Sequence, residues 1–355
     1  MFICARLSTW NTPTLSPAAA ASAIACRAVR AAAAAWPIKL LATVLDVPFR
    51  FLQRIFGIGA MPYFFILPNM IFFGTFVVLP LFINFAFSVT GGTNLFLADR
   101  PYVGAEQYEF LATCANHFDP ATCREDRFWR GIYNTMVFVF FQVSLMVLFS
   151  LITALILNRD IRYRGFYRAA FFFPVLLSPV VVALIWKWIL LRDGVLNAGL
   201  VGMGLDRILF FVDPQWSMFW AIFVSIWANM GFYTLILLAG LQAIPPDLYE
   251  AAEMDGTKPE RVFWRITLPL LWPNMLVVIV LALIKSVQVF DEVFVLTGGG
   301  PGTATQFIVQ YIYTTGFSSQ VQNFGLAAAA SVVLGVVLFV LTLLQLAVVR
   351  RRDQG

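Results

Sequence analysis

Polar side chains recur at helical spacing inside two of the long apolar stretches of this sequence. In "FVSIWANMGFYTLILLAGLQ", Ser225, Asn229 and Phe232 fall at i, i+4 and i+7 and therefore share one helix face. Hydroxyl and amide groups exchange hydrogen bonds with hydroxyl-rich solutes, and an aromatic ring offers such a solute a flat surface. The pattern is typical of a solute path or of a contact between helices.

A second stretch, "LALIKSVQVFDEVFVL", repeats the spacing with Ala282, Ser286 and Val289, and Lys285 and Gln288 lie beside that face. Polar groups within apolar spans are costly and mark a solute path or a contact between helices. We predict that these residues line a path. The alternative is that Ser and Asn side chains join neighbouring helices by hydrogen bonds.

Lys285 is a cation near the middle of its apolar stretch, where it needs a negative partner or ligand. Glu292 lies two turns further on, too far for a direct ion pair on a continuous helix, and Asp291 faces elsewhere. Two interpretations remain open. Lys285 contacts an anionic solute, or it pairs with an acidic residue of another subunit.

The stretch "YEAAEMDGTKPERVFWRITLPLLWP" (249–273) is a polar insert between two apolar runs. Pro245 and Pro246 precede a short predicted helix, in which Asp247 and Glu250 have the spacing of a capping box. Gly256 is a typical helix stop.

A second helix is predicted to follow without a gap. Thr257 and Glu260 repeat the capping-box spacing, and Pro259 is tolerated in a first turn. Pro269 is expected to end this helix before the next apolar run. Two capped helices at a tight turn would form a rigid unit rather than a mobile loop.

One side of the first helix is suited to close contact. Leu248, Ala251 and Ala252 share that side, and the two small residues would let another surface approach. This predicts a docking site for a partner. The alternative is an amphipathic hairpin that lies on lipid headgroups.

The composition requires these elements to lie in a membrane. Of 355 residues, 60% are hydrophobic and only 12% are charged, whereas soluble domains carry about 25% charged residues. Several apolar runs reach the ~20 residues that cross a bilayer core. We predict an all-α, polytopic membrane protein with six spans, at 62–89, 132–157, 169–191, 216–241, 271–296 and 324–349.

Basic residues separate the connecting segments into two groups. The N-terminus, 158–168, 242–270 and the C-terminal tail hold sixteen Lys and Arg, whereas 90–131, 192–215 and 297–323 hold six. Because basic loops remain on the cytoplasmic side, both termini and the polar insert are predicted to face the cytoplasm. The net charge of +5 is thereby explained without nucleic acid as a partner.

The outer loop 90–131 contains Cys114 and Cys123 in "TCANHFDPATC". Disulfides persist on the outer side of a membrane, so a bridge between these two residues is predicted, with two free thiols as the alternative. His117 is the single histidine and lacks paired acids, so no metal site is predicted.

Residues 1–60 are predicted to form a cytoplasmic tail, separate from a membrane domain at 61–355. The tail is rich in alanine up to residue 35, and 38–57 has the composition of an interfacial helix broken at Pro48. A targeting presequence, a disordered tail or an early start codon would each explain the first part.

The polar insert resembles the EAA loop of permease subunits of binding-protein-dependent ABC importers. The residues in register with E-A-A-x-x-D-G and the following I-x-L-P are Glu250, Ala251, Ala252, Asp255, Gly256, Ile266, Leu268 and Pro269. "LQAIPPDLYEAA" and "VLTGGGPGTATQFIVQYIYTTGF" are similar to the carbohydrate-uptake branch, and within it to the larger permease subunit of maltose-type importers. The resemblance covers about residues 62–352. Thr257 stands where many relatives have alanine.

The resemblance implies a type I ABC importer permease fold in the bacterial inner membrane. The loop at 245–269 would then be a coupling helix that sits in a groove of a separate ATPase. The coupling residues would be Leu248, Glu250, Ala251, Ala252, Asp255 and Gly256. The residues that meet a sugar or sugar-like solute would be Ser225, Asn229, Phe232, Lys285, Ser286, Gln288 and Val289.

The implied partners are a second permease subunit, two ATPase subunits with their ATP and Mg²⁺, and an outer solute-binding protein. The chain has no G-x-x-x-x-G-K-[ST] phosphate loop, so it is expected to bind no nucleotide or other cofactor and to catalyse no reaction.

Other functions remain open at this point. The same machine could carry glycerol phosphate or an acidic sugar, in which case Lys285 would contact the anion. An ion-coupled secondary transporter would use buried acids within the spans and would leave the EAA loop without a role. A scaffold protein without transport is the third alternative.

Overall fold

The structure is a computed structural model that describes residues 61–117 and 119–352, together with Gln53, Gly57 and Gly59. The predicted tail at 1–60 otherwise lies outside the described residues. The described part is helical. Its longer helices are α1 (Pro62–Ser88), α2 (Glu106–Ala112), α3 (Asp126–Asn158), α4 (Arg164–Phe172), α5 (Pro179–Leu190), α6 (Val195–Gly202), α7 (Pro214–Gln242), α8 (Asp247–Met254), α9 (Pro259–Val287), α10 (Asp291–Thr297), α11 (Ile308–Tyr313) and α12 (Phe324–Arg352).

The chain divides into two compact units, Met1–Leu81 and Phe82–Gly355. The described residues of the first unit form most of α1, which contains Pro68 and one π-helical turn at Gly74–Val78. The large apolar side chains of α1 are exposed along its length. Such a helix needs lipid or a partner subunit around it, because it covers no core of its own.

Among the residues that the structure describes, five helices are long and apolar enough to cross a membrane, namely α1, α3, α7, α9 and α12. A sixth crossing is obtained if α4, α5 and α6 are counted together, since a 99° bend separates Arg164–Leu176 from Pro179–Gly202. The prediction of an all-α protein with about six spans is confirmed. The prediction of an uninterrupted span at 169–191 is wrong, because Pro174 and Pro179 interrupt the backbone hydrogen bonds of the helix.

The core of the second unit lies where α3, α7 and α9 pack together. Met146 of α3, Leu237 of α7, and Leu271 and Val278 of α9 are buried there. Close approach of α7 to α4 depends on Gly231, since a Cβ at this position would overlap the Phe171 carbonyl oxygen. Small residues at such crossings allow helices in membranes to come close together.

Helix α9 is continuous over 29 residues from Pro259 to Val287. The prediction that Pro269 ends a helix is therefore wrong. A π-helical turn at Phe263–Thr267 ends two residues before this proline, and the wider turn accommodates the missing backbone donor.

The predicted span 271–296 is broken instead near its far end. Helix α9 stops at Val287, Phe290 has the non-helical angles φ −147° and ψ −65°, and α10 begins at Asp291. The break redirects the chain, so that Glu292 no longer lies on the axis of α9.

The loop between α2 and α3 contains a disulfide between Cys114 and Cys123. The loop is also held by a hydrogen bond at 2.8 Å, which Trp129 Nε1 donates to the Leu111 carbonyl oxygen. The Trp129 ring makes an edge contact with His117.

We expect the double substitution Cys114→Ser and Cys123→Ser to destabilise this loop by about 2–3 kcal/mol. The bridge lowers the conformational entropy of the unfolded chain, and this stabilising effect is lost with it. The rate of limited proteolysis in the loop measures the effect, and the reduced wild-type protein is the matched control. A thiol count of the denatured protein that does not rise on reduction would contradict the bridge.

Candidate functional site

Helix α8 is a two-turn helix that connects α7 to α9. It begins after Pro246, and the helix at Pro259 begins after Lys258, with no side-chain cap hydrogen bond at either position. Both predicted capping boxes are therefore wrong. Asp247 and Glu250 instead lie within the first turn of α8, where negative charge stabilises a helix N-terminus.

The predicted stop at Gly256 is confirmed. Gly256 has a φ of +65°, in the left-handed region that favours glycine. Its N–H donates to the Glu253 carbonyl at 2.9 Å, and the Thr257 N–H donates to the Ala252 carbonyl at 2.9 Å. These two bonds form a Schellman motif, which fixes the direction in which the chain leaves α8.

The outer face of α8 is free of contacts with the core. Leu248 is 41% exposed, and Glu250, Ala251, Asp255 and Gly256 are also exposed. These five residues together form what we call the α8 face. It combines one large apolar side chain with two carboxylates and two small residues.

Ala252 does not belong to the α8 face, although the sequence placed it with Leu248 and Ala251. It is only 7% exposed, and with Tyr249 it turns towards the protein. The Tyr249 hydroxyl lies 3.2 Å from the Thr267 hydroxyl of α9. Helix α8 is thus fixed to α9 by its inner side.

Three buried polar side chains join α3, α7 and α10. Gln142 Nε2 donates to Ser225 Oγ at 2.7 Å, and Ser225 Oγ donates to Glu292 Oε1 at 3.0 Å. All three residues are at most 5% exposed. In this chain Ser225 links helices, which is the alternative that the sequence left open for it.

A cavity of about 140 Å³ lies next to this polar chain, and Asn229, Lys285 and Glu292 line it. Its other walls are apolar residues of the bend between α4 and α5, of α5 and of α7, namely Pro174, Val175, Leu177, Pro179, Val182 and Ala228. Asn229 Nδ2 donates to the Ser225 carbonyl at 2.9 Å, so the amide is oriented by its own helix. We call this space the Asn229 cavity.

Glu292 reaches the Asn229 cavity because the chain breaks between α9 and α10. The prediction that Glu292 and Lys285 form no direct ion pair agrees with the structure, but the two residues do not lie on one continuous helix. Neither Glu292 nor Gln142 was among the residues predicted from the sequence for this site. The one available signal was that each is a polar residue within an apolar stretch.

The other residues predicted for a solute path are distributed over several environments. Ser286 is buried, and its hydroxyl donates to the Ala282 carbonyl of its own helix. Val289 is 3% exposed and packs in an apolar cluster. Gln288 and Phe232 are exposed on the surface of this chain.

No group of three or more His, Cys, Asp or Glu side chains within 61–117 and 119–352 has the arrangement of a metal site. The polar groups of the Asn229 cavity can bind a solute through hydrogen bonds and charge.

Apolar crossings, an exposed helix between two of them and a cavity with polar groups between helices together define a multi-pass membrane protein with a candidate solute site. The chain belongs to the family of binding-protein-dependent transport system inner membrane components, whose model matches residues 126–354.

Curated relatives and one solved structure agree with this assignment. The chain is 34% identical over 293 residues to the trehalose/maltose transport system permease protein MalF of Thermococcus litoralis, covering 82% of this chain and 94% of that protein. It is 30% identical over 277 residues to the multiple sugar-binding transport system permease protein MsmF of Streptococcus mutans, with coverages of 76% and 89%. A chain in the crystal structure of a bacterial ABC transporter involved in the import of the acidic polysaccharide alginate superposes with a TM-score of 0.71 at 26% identity, covering 84% of this chain and 98% of that one. The resemblance to ABC importer permeases that the EAA loop suggested is confirmed.

Proposed function

We propose that this chain is the permease subunit of an ATP-driven importer that moves a sugar or sugar-like solute across the bacterial inner membrane. The observation that carries the proposal is α8. Its direction is fixed by Gly256, its inner side is held on α9 by Tyr249, and its outer face is open for a partner. The curated relatives named above are permeases of sugar transport systems, which supports a sugar as cargo.

In this proposal ATP and Mg²⁺ bind to two copies of a separate ATPase, and the α8 face sits in a groove of one copy. Displacement of α8 by the ATPase also moves α9, because the two helices are in contact at Tyr249 and Thr267. Helix α9 carries Lys285 at the Asn229 cavity. ATP hydrolysis would thereby bias the permease between its inward-open and outward-open states.

A second permease of similar fold would pair with this chain, and a solute-binding protein would deliver the cargo from outside. A related structure contains the alginate ABC transporter in complex with an alginate pentasaccharide-bound periplasmic protein. The distribution of basic residues supports a cytoplasmic position for both termini and for α8.

The proposal is tested by purification of the tagged chain from its native membranes in mild detergent. We expect an ATPase and a second permease to co-purify, and ATP turnover to rise when the solute-binding protein is added. A matched variant with Leu248→Asp and Glu250→Arg should lose the ATPase but retain the second permease, because only the α8 face is altered. Recovery of the chain alone after gentle cross-linking would contradict the importer and favour an ion-coupled transporter.

A further inference from the structure

Glu292 is a buried carboxylate that accepts a hydrogen bond from a neutral side chain and forms no ion pair with a cation in the described part of the chain. It is 5% exposed, and the Ser225 hydroxyl donates a hydrogen bond to it. Ser225 in turn accepts from Gln142, so the network supplies neutral groups and no cation. A buried carboxylate is expected to have a counter-charge nearby or to serve as a binding group.

Lys285 is the cation that borders the same space. Lys285 and Glu292 both line the Asn229 cavity, and among the described residues no other charged side chain does so. The ion pairs found in the described part of the chain are Arg130–Asp126 and Arg207–Asp193. Lys285 and Glu292 thus border the Asn229 cavity without forming an ion pair with each other.

The groups around that space complement hydroxyl groups. Lys285 donates hydrogen bonds, Glu292 accepts them, and the Asn229 amide can do either, while a hydroxyl group both donates and accepts. An anionic group would be attracted by Lys285 and repelled by Glu292. Glu292 is buried whereas Lys285 is exposed, and their opposite charges partly offset each other where both border the cavity.

We propose that Glu292 is a specificity-determining residue, whose carboxylate offsets the charge of Lys285 so that the Asn229 cavity selects neutral, hydroxyl-bearing sugars over anionic ones. The inference rests on the proposed function and names the class of its cargo. It also answers the question that the sequence left open for Lys285, because the opposing acid comes from this chain rather than from a partner or a substrate.

Two probes that differ in one group test the inference, D-galactose and its carboxylate counterpart D-galacturonate. Dissociation constants of both are measured on the purified complex by calorimetry, and the ratio of the two constants is compared between variants. The wild type should bind galactose more tightly. Glu292→Gln keeps the shape of the side chain and should shift the ratio towards galacturonate by about tenfold or more, as expected when an uncompensated ammonium remains.

Two further variants and one control complete the set. Lys285→Gln should shift the ratio in the opposite direction, and the double variant should return it towards the wild-type value, because the cavity is again neutral. Asp291→Asn removes an exposed carboxylate one residue away and should leave the ratio unchanged. If Glu292→Gln fails to fold, Lys285→Gln alone still decides the sign of the effect.

A wild type that prefers galacturonate would overturn the inference, as would an unchanged ratio in both single variants, an equal shift in Asp291→Asn, or no binding of either probe. The outcome is separable from that of the proposed function. If the same preparation shows ATP turnover stimulated by the solute-binding protein but unchanged ratios, the importer stands and only the role of Glu292 is lost. If no ATPase is present, the importer is lost whatever the ratios are.

Discussion

Gly256→Asp is expected to reduce solute uptake by at least about tenfold while the chain remains folded and inserted in the membrane. Within the chain a Cβ at Gly256 has no atom within 4 Å. Aspartate is among the residues that tolerate the left-handed conformation found there. We therefore expect this substitution to leave the fold unchanged. The space into which the side chain extends is the space that the ATPase would occupy.

Comparison of three variants distinguishes an effect of charge on uptake from an effect of backbone conformation. Gly256→Asn has nearly the same shape and the same backbone tolerance as Gly256→Asp, but it adds no charge to a face that already carries Glu250 and Asp255. We expect Gly256→Asn to retain more uptake than Gly256→Asp, and Gly256→Val to lose uptake through backbone strain. Uptake and ATP hydrolysis are measured together in proteoliposomes. Uptake at the wild-type rate in Gly256→Asp would refute a coupling role for this turn.

Gly231→Ala is expected to cause the largest loss of folded protein among single-methyl additions to this chain. The added Cβ would overlap the backbone carbonyl oxygen of Phe171. The backbone of α4 cannot relieve this overlap by changing a rotamer, as a flexible side chain could. Such overpacking lowers the free energy of unfolding by about 1–3 kcal/mol or more. The apparent melting temperature in detergent and the yield from membranes measure the loss.

Gly202→Ala is the matched control for this effect. Gly202 is also helical, but a Cβ there would have no atom within 4 Å. Alanine favours a helix over glycine by about 1 kcal/mol, so this variant should be as stable as the wild type or slightly more stable. Equal melting temperatures for the two variants would show that α7 and α4 are not in close contact at Gly231.

The sequence was informative wherever one local rule decided the structure. The stop of α8 followed from Gly256, because a glycine after a short polar helix satisfies the left-handed position of a Schellman motif. The apolar runs likewise predicted about six crossings, since the thickness of a bilayer sets the length of a span, but they did not predict the breaks within 169–191 and 271–296.

The sequence was less informative where two local signals competed. Asp247 and Glu250 had the spacing of a capping box, but Pro246 occupies the cap position and Asp247 begins the helix. Pro269 suggested a helix end, but the π-helical turn before it keeps α9 continuous. In the first case a neighbouring proline, rather than Asp247, precedes the helix. In the second case a neighbouring turn compensates for the backbone donor that Pro269 lacks.

Glu292 shows what a linear pattern could not predict. Its distance from Lys285 along a helix was correctly counted, but the helix ends at Val287 and the chain bends through Phe290. The bend is stabilised by contacts distant in sequence, among them the hydrogen bond from Ser225, 67 residues away. The spatial grouping of Glu292, Lys285 and Asn229 is therefore a property of the packed helices.

Because α9 is continuous, it can act as a lever that transmits a movement from one of its ends to the other. A helix of 29 residues is about 43 Å long, with α8 attached near one end and Lys285 near the other. A tilt of about 5° would move the far end of a rod of that length by about 4 Å. That displacement is comparable to the dimensions of the Asn229 cavity, and the break after Val287 supplies a joint beyond which α10 need not follow.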